Sequence, residues 1–230
     1  MIVVVALVAV GFVGAVALFP KDEDPVQQAA AGTGTAADFA AAWAQQPRVD
    51  LGIDPEGAKV VVVKFNDYEC PSCRQAEALY KPVLDKFAQT QPGAVKYVIK
   101  DWPLDAACNF HYMSTVRGHE AACDAAAAAR MAKDRGKYQE MADWIYANQG
   151  TTPAELRAAT QRILGVTDFD AEYAKQLPGI RKDISDGGAL NISQTPTYFI
   201  NGVRVGGLQP QGLEMAISLE IEAAARQQAQ

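Results

Sequence analysis

The chain is poor in histidine, in clustered basic charge and in paired-cysteine motifs. Its 230 residues include two histidines and four cysteines. His111 and His119 each read as polar loop residues rather than catalysts, and neither is assigned a role. Lysine and arginine number 21 against 27 acids, giving a net charge of −6 and a pI near 5.0. No basic cluster occurs anywhere, which argues against a nucleic-acid partner. No internal repeat is found. Only one C-x-x-C pair is present, so a zinc site held by all four cysteines lacks its usual second paired motif, and no metal is expected. No lysine or arginine precedes Lys21, so the basic start of a secretory signal is missing, and with it the usual cue to membrane orientation.

What the chain does have at its start is an apolar run. Residues 2–19 are almost wholly apolar, about long enough to cross a bilayer as a helix, and Pro20 ends the run. An uncleaved membrane anchor over residues 1–20 is the first reading. A cleaved signal peptide, with Ala15-Val16-Ala17 as its small-x-small site, is the second. On either reading the rest of the chain is exported, where disulfides persist. Residues 21–35 form a linker rich in Ala, Gly, Gln and acids. Residues 36–230 have the length and the apolar content (49% of the whole chain) of one packed domain.

Within that domain, Thr35-Ala36-Ala37-Asp38 resembles a capping box. Phe39 and Trp43 would share the buried face of the helix it opens. Residues 48–51 fit a short edge strand. Residues 59–66 hold four valines in a continuous apolar run, as in a central strand covered on both faces. The next helix repeats at Ala76, Leu79, Tyr80, Val83 and Phe87, with Pro82 inside it as an expected kink. Val95, Tyr97 and Ile99 alternate as a second strand, parallel to the first by the rule for strand–helix–strand units. About 104–190 is helical and Ala-rich. Helices are expected over 120–133 and 137–149, then from the capping box Thr152-Pro153-Ala154-Glu155 to Gly165, and as two shorter pieces over 168–177 and 180–190. Asn201-Gly202 joins two short strands as a hairpin. Leu213, Ala216, Ile217 and Ile221 mark a closing helix. One mixed sheet with helices on both faces is the economical packing.

Two motifs carry the chemistry. Phe65-Asn66-Asp67-Tyr68-Glu69-Cys70-Pro71-Ser72-Cys73 lies where the valine strand meets a helix. Thr195-Pro196-Thr197-Tyr198-Phe199-Ile200-Asn201-Gly202 opens the hairpin. Cys70 and Cys73 alone indicate a redox or a metal site. Together the two motifs resemble the thioredoxin superfamily. The nearly ninety-residue helical block between them is similar to the insertion of DsbA-like disulfide oxidoreductases. Trp102-Pro103-Leu104-Asp105, Cys108-Asn109 and the stretch from His119 to Cys123 resemble the DsbA-like domains that accompany vitamin K epoxide reductase-type membrane proteins. The resemblance runs from about Phe39 to Ala224. It implies an α/β thioredoxin fold with a DsbA-like helical insertion at about 104–190.

It also implies roles. Cys70, at a helix N-terminus that favours negative charge, would be the reactive thiolate. Cys73, one turn in, would be shielded and would close the ring. Pro71 fits the first helical position, and Ser72 would donate weakly toward Cys70. Pro196 resembles the cis-proline that faces the cysteine pair in this superfamily, and Thr195 would lie close to Cys70. By its residues alone, Pro196 also fits an ordinary trans proline at a strand's first residue.

Lys64 departs from the pattern. It stands six residues before Cys70, where many relatives carry a buried acid that handles protons for the inner cysteine. Two readings stay open: a cation that favours a nearby thiolate, or a lysine whose stem packs while its amine reaches solvent. Asp67 and Glu69 would oppose thiolate formation. Cys108 and Cys123 read first as a structural disulfide, and second as a relay to the redox pair.

The expected function is thiol–disulfide exchange on cysteine-containing exported proteins, with the chain acting as a disulfide-forming oxidase. A quinone-linked membrane partner of the DsbB or vitamin K epoxide reductase type would reoxidise it, and no dissociable cofactor is needed. The alternatives are a membrane-tethered reductase, or a binding module whose cysteines serve structure or metal.

Overall fold

A computed structural model describes residues 35–228. The expected anchor and nearly all of the expected linker, residues 1–34, lie outside the described residues. Among the described residues no helix is long and apolar enough to cross a membrane.

The sheet grows from the valine run. β1 (Val60–Asn66) is buried along its whole length, as a continuous β-branched strand should be. Its neighbours are β2 (Val95–Asp101), parallel, and β3 (Thr197–Ile200), antiparallel; β4 (Val203–Val205) completes the order β2-β1-β3-β4. Asn201 and Gly202 turn the hairpin with φ of 44° and 83°. The second is a conformation glycine adopts without cost, and a Cβ at Gly202 would stand 2.2 Å from the Val49 carbonyl. The stretch expected as an edge strand at 48–51 is not one. Arg48 alone bridges to Val203, and the Asp50 carboxylate then accepts from the Gly52 N–H at 2.8 Å, bending the chain away.

Strand periodicity divides the core into two faces. Val60 and Val62 point into one layer with Tyr198 and Ile200. There they meet α1 (Ala36–Ala44), α2 (Pro71–Thr90) and α7 (Pro210–Gln228) through Phe39, Trp43, Tyr80, Val83, Phe87, Leu213, Ala216 and Ile217. Thr35 and Asp38 form the expected capping box on α1. Leu79, counted on the buried face of α2, is instead 44% exposed. Pro82 lies inside α2, which continues to Thr90.

Val61, Val63 and Phe65 point to the other layer, which holds Trp102, Met131, Ile180 and Ile184. Its helices are α3 (Ala122–Asp134), α5 (Pro153–Leu164) and α6 (Phe169–Ala189), and α4 (Tyr138–Ala147) packs on α3 and α5. The capping box at Thr152 and the left-handed Gly165 bound α5 as expected. The two short helices expected over 168–190 are one helix, α6, with Pro178 inside it. Ile180 and Ile184 continue its buried stripe past the proline, and that packing offsets the hydrogen bond the proline removes.

Cys108 and Cys123 are bonded to each other, 15 residues apart in sequence. The bridge ties the loop after β2 to the first turn of α3, inside the layer containing Phe65 and Trp102. Cys70 and Cys73 pack in a separate cluster with Tyr68 and the α3 and α4 side chains. The Cys108–Cys123 bond removes two sulfurs from any four-cysteine metal site. Replacing both Cys108 and Cys123 by alanine is expected to cost about 3 kcal/mol from the loop-closure entropy of a chain that length. Urea denaturation of the two proteins checks this through the unfolding midpoint.

Candidate active site

β1 ends at Asn66, and a tight turn carries the chain into α2. The Cys70 N–H donates to the Asp67 carbonyl at 3.2 Å. Asp67 Oδ1 accepts from the Glu69 N–H at 2.7 Å. Cys70 is the N-cap residue, with extended backbone angles, and Pro71 occupies the first helical position, where its missing N–H costs nothing. The Cys70 sulfur therefore sits at the positive end of the helix, beside the backbone N–H groups of Ser72 and Cys73.

The rest of its surroundings come from far along the chain. The Thr195–Pro196 peptide is cis, as the resemblance implied, and the Cys70 thiol donates to the Thr195 carbonyl at 3.4 Å. Hydrogen bonding from the Cys73 thiol is the largest influence on Cys70. With the Thr195 side chain and the backbone N–H groups of Cys73 and Ser72, it outweighs burial and holds the Cys70 thiol down to about 5. Ser72 contributes through its backbone; its side chain is exposed. Cys73 is fully buried. Burial, then hydrogen bonding to Cys70, pushes its thiol well above the ordinary value, with Lys64 opposing. The pair thus divides into an outer sulfur that ionises readily and an inner one that does not.

Lys64 is wholly buried, so the reading in which its amine reaches solvent is wrong. Its ammonium instead donates to Glu77 Oε2 at 3.0 Å, the Cys73 carbonyl at 3.3 Å and the Tyr146 hydroxyl at 3.4 Å. A salt bridge and two further hydrogen bonds compensate the desolvation that would otherwise expel the charge.

The acids beside Cys70 were expected to work against its thiolate. Hydrogen bonding dominates instead. Asp67 is consumed by the N–H groups of Glu69 and Leu104 and by His119 Nδ1, the last two at 2.8 Å. Glu69 is buried, and burial raises its carboxyl to about 6 despite a 2.6 Å bond from the Gly150 N–H.

Three residues of this site were given no role by the sequence reading. His119 lies 52 positions from Asp67, whose hydrogen bond is the main cause raising the imidazole pKa. Gln149 Nε2 donates to the carbonyls of Tyr68 and Cys70 at 2.8 and 2.9 Å. Tyr146 donates to Asn66 Oδ1 at 2.9 Å. The helical block therefore clamps the active-site turn from above.

Comparison with known proteins places this arrangement. The thioredoxin family profile matches residues 52–218. The Na(+)/H(+) antiporter NhaA 1 of Salinispora arenicola is 33% identical over 157 residues, 66% of this chain and 22% of the antiporter. The chain therefore spans about a fifth of the length of that curated relative. Among solved structures, Wolbachia pipientis alpha-DsbA1 has a TM-score of 0.56 at 18% identity, covering 76% of this chain and 92% of that one. The reduced form of the disulfide bond oxidoreductase DsbG from Mycobacterium tuberculosis has a TM-score of 0.51 at 23% identity, covering 75% and 86%. At these identities the two structures speak to the fold.

Proposed function

The chain belongs to the thioredoxin family, and on that premise we propose that it catalyses thiol–disulfide exchange as a disulfide-forming oxidase of exported proteins. The observation that carries this is the asymmetry of the cysteine pair. Cys70 is a low-pKa sulfur at a helix N-terminus, and Cys73 a buried, high-pKa sulfur behind it.

In the oxidised protein a substrate thiolate attacks Cys70 Sγ. The Cys70–Cys73 bond breaks, Cys73 leaves with the electron pair, and a mixed disulfide joins substrate to Cys70. A second substrate thiolate attacks the first substrate sulfur. Cys70 departs as the better leaving thiolate, and the substrate keeps its new disulfide. The Thr195 and Pro196 backbone lies beside Cys70, where it can pair with an extended substrate strand. A low Cys70 pKa stabilises the dithiol product, which favours oxidation over the reductase alternative. The reduced site would be reoxidised by a quinone-linked membrane partner of the DsbB or vitamin K epoxide reductase type. The apolar N-terminus would hold the two in the same membrane.

Mixing oxidised protein with a peptide carrying two thiols tests this. Nearly one peptide disulfide should form per protein, with Cys70 and Cys73 ending as thiols. A peptide that stays reduced while the protein disulfide stays intact would contradict it.

A further inference from the structure

A buried carboxylate–imidazole pair is built into the turn that carries Cys70. Asp67 is 1% exposed and His119 8%. Asp67 Oδ2 accepts from His119 Nδ1 and from the Leu104 N–H, both at 2.8 Å. Asp67 Oδ1 accepts from the Glu69 N–H at 2.7 Å, and the Asp67 carbonyl accepts from the Cys70 N–H at 3.2 Å. Asp67 thus joins the imidazole to the backbone that holds the reactive sulfur. His119 is itself fixed just before α3. Its N–H donates to the Val116 carbonyl and its carbonyl accepts from the Ala122 N–H, both at 3.0 Å. Cys123, four residues on, is bonded to Cys108. With so little water around the pair, its charges act on their neighbours with weak screening.

We propose that His119, ionised against Asp67, is a positioning residue for Cys70: it holds the active-site turn through Asp67, and its positive charge offsets the carboxylate three residues ahead of the thiolate. The proposal rests on the exchange reading above and names the ionised group to which the Cys70 thiolate is linked. Without that charge Asp67 would oppose the thiolate unscreened. The linkage is reciprocal. A thiolate at Cys70 tightens the proton on His119, and converting the thiolate to a disulfide loosens it. The imidazole therefore titrates at higher pH in the reduced protein than in the oxidised one. When a substrate dithiol reduces the pair, its two electrons break the Cys70–Cys73 bond and its sulfurs release two protons. Cys73 takes one. Cys70 stays a thiolate and takes none. Between the two titration midpoints of His119 the imidazole takes up a share of the second proton, and the remainder passes to water.

The charges that face His119 act in one direction. Those of the active-site turn are Asp67, Glu69 and Cys70, and its own segment adds Glu120. The Asp67 hydrogen bond raises the imidazole most. Burial opposes it, and the charges of Asp67, Cys70 and Glu69 add to it. Glu69 is held by the Gly150 N–H, and Asp101 is neutralised by Arg130. The other histidine, His111, packs instead on Trp102, with ring centroids 5.1 Å apart.

Proton NMR titration of the oxidised and the reduced protein follows both imidazoles. The resonance missing from His119→Asn belongs to His119; should that variant not fold, His111→Gln gives the same assignment. Oxidation should lower the proton affinity of His119 by about three- to tenfold, as expected for a unit charge acting over a short, weakly screened distance. Asparagine places an amide N–H near the position of Nδ1, so His119→Asn keeps the bond to Asp67 and loses the charge. In the reduced variant, thiolate absorbance should show Cys70 holding its proton more tightly by that same factor. A His119 midpoint that is identical in the two redox states overturns the proposal and leaves the exchange reading standing. So does a folded His119→Asn protein whose Cys70 titrates as in wild type. A wild-type protein that forms no mixed disulfide with glutathione disulfide refutes the exchange reading itself, and this proposal with it.

Discussion

A Cys70→Ser protein is expected to lose disulfide exchange completely, whereas Cys73→Ser should react once and stop. The serine hydroxyl does not ionise near neutral pH, and only a thiolate attacks a disulfide. Cys73 cannot take over, because it has no exposed surface and burial holds its thiol well above the ordinary value. In Cys73→Ser, Cys70 keeps the helix N-terminus and Thr195. It still attacks, but no second sulfur resolves the product, so a stable mixed disulfide accumulates. Mass spectrometry after incubation with glutathione disulfide distinguishes the two variants. One glutathione adduct on Cys73→Ser and none on Cys70→Ser is the predicted pattern. The reverse pattern would show that the sulfur roles are exchanged.

The second large effect is on the balance between dithiol and disulfide. An ordinary thiol begins to ionise near pH 9, whereas Cys70 does so near 5. Below about pH 5 the thiol is protonated whether or not the protein is folded, and it adds nothing. From 5 upward the folded dithiol has lost a proton that an ordinary thiol still holds. Its extra stability therefore grows with pH, is complete above about 9, and is lost as pH falls through 5. Discounted for solvent screening, the effect at pH 7 is on the order of 1–2 kcal/mol. In a two-electron couple that corresponds to roughly 20–40 mV toward the oxidising side. Guanidinium unfolding of the reduced protein at pH 5 and pH 8 should show the stability gain, with no matching gain in Cys70→Ser.

How much of this was legible in the sequence follows from how far apart the interacting residues lie. The four valines of β1, the capping boxes at Thr35 and Thr152, and the Asn201-Gly202 turn are local signals, and each became the expected element. The cysteine pair at the strand–helix junction is local too. Local reading failed where tertiary packing decides. Two short helices were expected over 168–177 and 180–190, but Ile180 and Ile184 keep α6 continuous on the core. Lys64 reads equally well as buried or snorkelling until Glu77, Cys73 and Tyr146 are seen around it. Asp67 looked like a charge opposing Cys70, because its partner His119 is 52 residues away. The Gln149 clamp on the Cys70 carbonyl spans 79 residues and leaves no trace in local spacing.

The most direct test of the central claim, that this pair is built to oxidise, is the equilibrium of Cys70 and Cys73 against glutathione at pH 7. Fractions of dithiol and disulfide are read by thiol alkylation across a series of glutathione ratios. A potential at least tens of millivolts above the roughly −270 mV of thioredoxin is the predicted result. A potential at or below that of thioredoxin would contradict the account.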